Sequence, residues 1–156
     1  MKKALSLFCF LIISLVFASC SEEQSKPDSY AASKNPSAIV QYDNYRKTGS
    51  LLSADKENKF AAGSLLIVDL DLNASTGFKW FYKISDPAVI ALEEEKIFDL
   101  EKDKPENIQK VGYPVKALWK FKALTKGEAV ISFKYYRDWE GEKSAVDVKE
   151  FKIKID

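Results

Sequence analysis

Four stretches of this chain alternate apolar and polar residues with a period of two, and that rhythm limits the fold more than any other feature. Leu66, Val68, Leu70 and Leu72 share one side of the segment 65–72, with Asp69 and Asp71 on the other. Phe78, Trp80, Tyr82 and Ile84 alternate with Lys79 and Lys83, and Val115, Ala117, Trp119, Phe121 and Ala123 with Lys116, Lys120 and Lys122. Ala129, Ile131, Phe133 and Tyr135 make a fourth row. Successive side chains of a strand point to opposite faces, so each row predicts a strand with one dry and one wet face.

The remaining elements follow from weaker signals. Ala38 to Tyr45 is predicted as the first strand, and 89–100 supplies one or two more. The last strand carries Val146 and Val148, then Phe151, Ile153 and Ile155; this change of parity predicts a β-bulge near Lys149-Glu150. Turn-forming clusters at 102–107 and 125–128 separate the strands, and no amphipathic helix or internal repeat is evident. Seven or eight short strands in about 120 residues predict an all-β, immunoglobulin-like antiparallel β-sandwich. Trp80 is expected as the buried tryptophan of the third strand, and Trp119 and Phe78 as core.

The N-terminus reads as an export signal. Lys2 and Lys3 precede the apolar run Ala4 to Ala18, and Phe17-Ala18-Ser19-Cys20 has the form of a lipobox, with Phe17 where Leu is usual. The run is shorter than the ~20 residues of a spanning helix. Residues 1–19 are therefore expected to be a lipoprotein signal peptide and Cys20 the lipidated N-terminus of the mature chain. Residues 20–37 are expected to form a flexible tether, and 38–156 the folded domain. The expected location is the bacterial cell envelope, at the outer membrane or cell surface rather than the inner membrane. Cys9 leaves with the signal, so lipidation of Cys20 leaves no thiol and no disulfide. The formal charge of +1 includes Lys2 and Lys3, so the mature chain is slightly acidic, with no basic excess for nucleic acid.

The chain has no histidine, which removes Ser-His-Asp and Cys-His catalysis and any histidine-ligated metal. Asp69/Asp71 and Glu93-Glu94-Glu95 are the carboxylates available for acid–base work, but they sit on wet faces or in a charged run. No enzyme activity, metal or cofactor is expected. A hydrolase using paired acidic residues is the third-ranked alternative.

Three loops carry the functional signal. Asn73-Ala74-Ser75-Thr76-Gly77 leads into Phe78-Lys79-Trp80; its residues are small and turn-forming, and Gly77 accepts a positive φ. An ordinary hairpin turn is the plain alternative. Gly112-Tyr113-Pro114-Val115 precedes the strand with Trp119 and Phe121, and Tyr136-Arg137-Asp138-Trp139-Glu140-Gly141 ends another. An exposed tryptophan beside arginine is a common binding hot spot. Arg137 fits either contact or bracing of its loop.

This ordered set resembles the chagasin-like inhibitors of papain-family cysteine proteases, over roughly Lys59 to the C-terminus. The resemblance implies a monomeric, tight, reversible inhibitor. The Asn73–Gly77 loop would lie over the catalytic centre, with Gly112, Tyr113 and Pro114 on one side and Arg137, Asp138 and Trp139 on the other. The chain departs from the family pattern at Ala74, where Pro is frequent, and at Ser75, where Thr is. Val115 replaces a Gly, and Asp138 replaces a Pro. Val115 and Asp138 are the departures that favour the alternative, a non-inhibitory surface module such as an adhesin recognising protein or glycan.

Overall fold

The structure, a computed structural model, describes residues 35–101 and 115–156. The predicted signal peptide, Cys20, all but the end of the predicted tether, and the Gly112-Tyr113-Pro114 loop lie outside the described residues.

The described chain begins with helix α1 (Pro36–Arg46), followed by strands β1 (Ser50–Leu51), β2 (Asn58–Phe60), β3 (Leu65–Leu72), β4 (Phe78–Ile84), β5 (Ile90–Phe98), β6 (Val115–Ala123), β7 (Gly127–Arg137) and β8 (Asp147–Ile155). They form two four-stranded sheets, ordered β1-β3-β6-β5 and β2-β8-β7-β4, stacked as an immunoglobulin-like β-sandwich. The long strands pair antiparallel, as their alternation predicts; the short edge strands β1 and β2 pair parallel with β3 and β8.

The four predicted rows do face inward. Leu66, Val68, Leu72, Val115, Ala117, Trp119, Phe121, Ala123, Ala129, Ile131 and Phe133 share one buried core. Phe133 is its centre, meeting Trp119, Phe121, Phe151 and Trp80 edge-on. Trp119 is fully enclosed, as expected, but Trp80 is only half-buried at the margin, where its Nε1 donates to the Asp71 carbonyl at 2.8 Å.

Several expectations fail for identifiable reasons. Residues 38–45 form a helix, not a strand, and it starts at Pro36, inside the predicted tether. Asn35 is its N-cap, with Oδ1 accepting from the Ala38 N–H at 3.0 Å, and Pro36 occupies the first turn, where no amide proton is needed. Val40 faces solvent, while Tyr42 and Tyr45 pack on the sheet. The bulge at Lys149-Glu150 is absent. Pairing of β8 with β7 runs unbroken from Asp147 to Ile155, and Val146 and Val148 point into solvent. A bulge occurs instead in β5, where the register slips between Leu92 and Glu94. It reverses the parity of the strand, so Leu92 faces the core and Phe98 faces α1.

That helix covers the outer face of the β1-β3-β6-β5 sheet. Tyr45, Ile67 and Leu118 are buried beneath it, with Tyr42 and Phe98 packed alongside. Asp69 is not on a wet face as its alternation implies: the Tyr42 hydroxyl donates to it, Arg46 pairs with it at 3.1 Å, and its side chain is only 10% exposed. Burial, then the Asp69 hydrogen bond, push the Tyr42 hydroxyl well above the usual tyrosine range, so it stays a donor. Asn58, the one buried polar residue among those described, bonds to the backbone of Ser53, Lys56 and Lys152 and fastens the crossover into β2.

Candidate functional site

Leu72 pairs with Val115, Phe98 with Lys116, Phe78 with Arg137, and Tyr135 with Asp147. The ends of β3, β5 and β7 and the starts of β4, β6 and β8 therefore share one pole. The first and third loops singled out in the sequence leave from it; the Gly112-Tyr113-Pro114 loop lies outside the described residues.

The Asn73–Gly77 loop is not a hairpin. β3 belongs to one sheet and β4 to the other, so the loop bridges the sandwich. It does so in one 3₁₀ turn over Ala74–Thr76, closed by its own polar groups. Asn73 Oδ1 accepts from the Ser75 hydroxyl at 2.8 Å, and the Thr76 hydroxyl donates to the Asn73 carbonyl at 2.8 Å. The Asn73 amide donates to the Tyr135 hydroxyl at 3.1 Å, tying the loop to β7. Gly77 then turns the chain at φ 76°, ψ −2°, a left-handed conformation that costs a residue with a β-carbon roughly 1–2 kcal/mol.

Beneath the loop lies an aromatic stack. Tyr135 is 5.2 Å from Phe78 and 4.8 Å from Trp80, ring centre to ring centre. Phe78 is thus half-buried at the loop base, outside the central core. The Arg137 guanidinium lies 4.4 Å over the Phe78 ring, while its Nε donates to the Thr76 carbonyl at 3.0 Å and its NH1 meets Glu140 at 3.0 Å. Of the two roles open to Arg137 in the sequence, the structure shows bracing: it locks the first loop to the third.

The third loop is a pair of 3₁₀ turns, Asp138–Glu140 and Glu142–Ser144, hinged at Gly141. Trp139 caps it with 72% of its surface exposed, the most exposed large apolar side chain among those described. Its indole lies directly over Gly77, so closely that an added β-carbon there would overlap the ring. Gly77 therefore meets two demands at once, a left-handed turn and room for the indole. Glu142 fastens the back of the loop through Lys83 at 2.7 Å and Lys134 at 2.8 Å. Hydrogen bonds from Lys134, then Lys83, hold its carboxyl down at about 2. Phe78 supports the loop base, a position the sequence already assigned it, whereas Tyr135, Lys83, Lys134 and Glu142 are supporting residues that sequence reading missed. Tyr135 was legible as an inward residue; the Glu142 clamp spans 59 residues to Lys83 and left no local signal.

The pole can thus present a stiff, mixed ridge: small polar backbone at Asn73–Thr76, then an exposed indole. Among the described residues no group of three or more His, Cys, Asp or Glu side chains is placed to hold a metal ion.

The pattern of the chagasin family of peptidase inhibitors (I42) matches residues 59–155, well over half of the chain, and the protein belongs to that family. Its fold is similar to that of the cysteine protease inhibitor EhICP2 from Entamoeba histolytica, with TM-score 0.52 and 23% identity over 70% of this chain and 90% of that one. PbICP-C, solved in complex with falcipain-2, aligns with TM-score 0.43 and 19% identity over 70% of this chain and 92% of that one. No curated protein sequence shows significant similarity to the chain.

Proposed function

We propose that the protein inhibits papain-like cysteine proteases by inserting this pole into the active-site cleft, without chemistry of its own. Family membership supports the activity, and the observation that carries the mechanism is the seating of Trp139 on Gly77. It joins two loops from different strands into one ridge that needs little ordering on binding. In this reading Asn73, Ala74, Ser75, Thr76 and Gly77 occlude the catalytic cysteine. Trp139, beside Asp138, fills an apolar subsite to one side, and Gly112, Tyr113 and Pro114 flank the other.

Cleavage is avoided because the central loop is a closed 3₁₀ turn. The carbonyls of Asn73 and Thr76 already accept hydrogen bonds from Thr76 and Arg137, and attack on a peptide needs its carbonyl aligned with the nucleophile. Binding is reversible for the same reason. We further propose that the protein is a monomer anchored in the cell envelope through lipid on Cys20.

Titration of the purified chain against papain-like proteases tests the activity. Inhibition should be stoichiometric, should leave the inhibitor intact, and should vanish when the protease cysteine carries a bulky covalent blocker. Equal binding to blocked and free protease would point to an adhesin-like module instead.

A further inference from the structure

The family match begins at residue 59, so α1 and β1 lie outside it. The course of α1 is fixed at three heights. Asn35 donates its amide to the Leu100 carbonyl at 2.8 Å, just beyond the end of β5 and therefore at the loop pole. Tyr42 and Arg46 meet Asp69 midway along β3. Gly49 lies against Leu65 at the far pole, where an added β-carbon would sit 2.6 Å from the Leu65 oxygen, and Ser50 pairs with Leu66. The helix thus runs antiparallel to β3, from the loop pole to the opposite one.

This direction matters because β1 runs parallel to β3. A chain entering β1 directly would arrive from the far pole; α1 returns the point of entry to the loops. The helix is held firmly, with Tyr45 buried on Ile67 and Leu118 and flanked by the ammonium groups of Lys120 and Lys96 at 4.4 and 4.7 Å. Asp156, by contrast, bonds to the Phe60 carbonyl at the far pole.

We infer that α1 brings the N-terminal attachment to the binding pole, so that a molecule anchored through Cys20 presents its loops toward its own bilayer. The inference rests on the inhibitor reading and on Cys20 as the anchor. About 15 residues separate Cys20 from Asn35, a reach of at most about 50 Å when fully extended. A protease domain of about 220 residues is roughly 45 Å across. A protease must enter the gap between domain and bilayer with the tether close to its limit. Anchoring therefore slows capture of soluble protease, and tether length sets which partners gain access.

The chain from Cys20 carries one cysteine, so maleimide-lipid coupling can attach it to phosphatidylcholine vesicles at that residue alone. Three displayed forms are compared: the chain as it is, the chain with a long Gly/Ser insert before Asn35, and a Cys20→Ser chain anchored through a spacer of equal length after Asp156. Association with papain should be about tenfold slower for the first than for the other two, as expected when a linker hinders engagement. Nitroxide headgroup lipids should quench Trp139 fluorescence, read as the difference from Trp139→Phe, only in the form anchored at Cys20 with its own tether. Equal rates and equal quenching for the Cys20 and Asp156 anchors would overturn the inference. Failure of the unanchored Cys20→Ser chain to inhibit papain would remove the inhibitor reading, while the quenching comparison would still decide this one.

Discussion

Two regions of the molecule are built from the same materials and put to opposite uses. Beneath α1, Tyr42, Tyr45 and Phe98 cluster with Lys96 and Lys120; at the pole, Phe78, Tyr135 and Trp139 cluster with Arg137. Under the helix the aromatics are covered and the cations close over them, so the apolar area is already spent on folding. At the pole Arg137 is committed downward, to Phe78 and Thr76, and the indole above it stays exposed. Exposure, not composition, separates the surface that stabilises from the surface that can bind.

The sharpest way to break this contrast is at the helix-covered face. Leu118→Ala should destabilise by about 2–5 kcal/mol, the range for truncating a buried leucine. Chemical denaturation measures the loss, while the folded fraction should inhibit normally. Trp139→Ala should do the reverse, weakening protease binding by about 2 kcal/mol, roughly thirtyfold in Kd. Its melting temperature should stay within about 3 °C of the parent's, because the residue is mostly outside the fold. A large drop in melting temperature for Trp139→Ala, or lost inhibition for Leu118→Ala, would erase the distinction.

Gly77→Ala joins the two properties. The left-handed turn opposes a β-carbon and the indole occupies its space, so stability should fall by about 1–2 kcal/mol. Inhibition should weaken as well, since Trp139 is displaced. The smallest effect belongs to Glu142. Its carboxyl sits at about 2 in the fold against 4.5 when free, so its clamp is fully present above about pH 4.5 and is lost as the pH falls toward 2. Amide exchange at 143–146 should quicken over that window and no higher, and Glu142→Gln should remove the dependence.

How much of this was legible depended on whether the signal was local. Alternating rows identified β3, β4, β6 and β7 and their inward faces, because a two-residue period leaves few other structures. The same rule misreads 146–148, where two exposed valines imitate a core row. At 38–45 no alternation guides the reading, and the Asn-Pro start opens a helix. Ile67 and Leu118 lie on faces that alternation labels wet, and only the cover supplied by α1 makes them core. At the site, the loops and the exposed Trp139 were visible as composition. That the first loop joins two sheets, that Arg137 reaches Thr76, and that Trp139 rests on Gly77 are long-range facts, 61 residues apart in the case of the arginine bond.

The proposed function depends on the loop pole meeting the protease while the helix-clad face stays free. Amide hydrogen exchange with and without a bound papain-like protease reads both regions at once. Protection confined to 73–77, 112–114 and 137–141, with α1 and β5 unchanged, is the expected map. New protection along α1 or the outer face of β8, with none at Gly77 and Trp139, would contradict it.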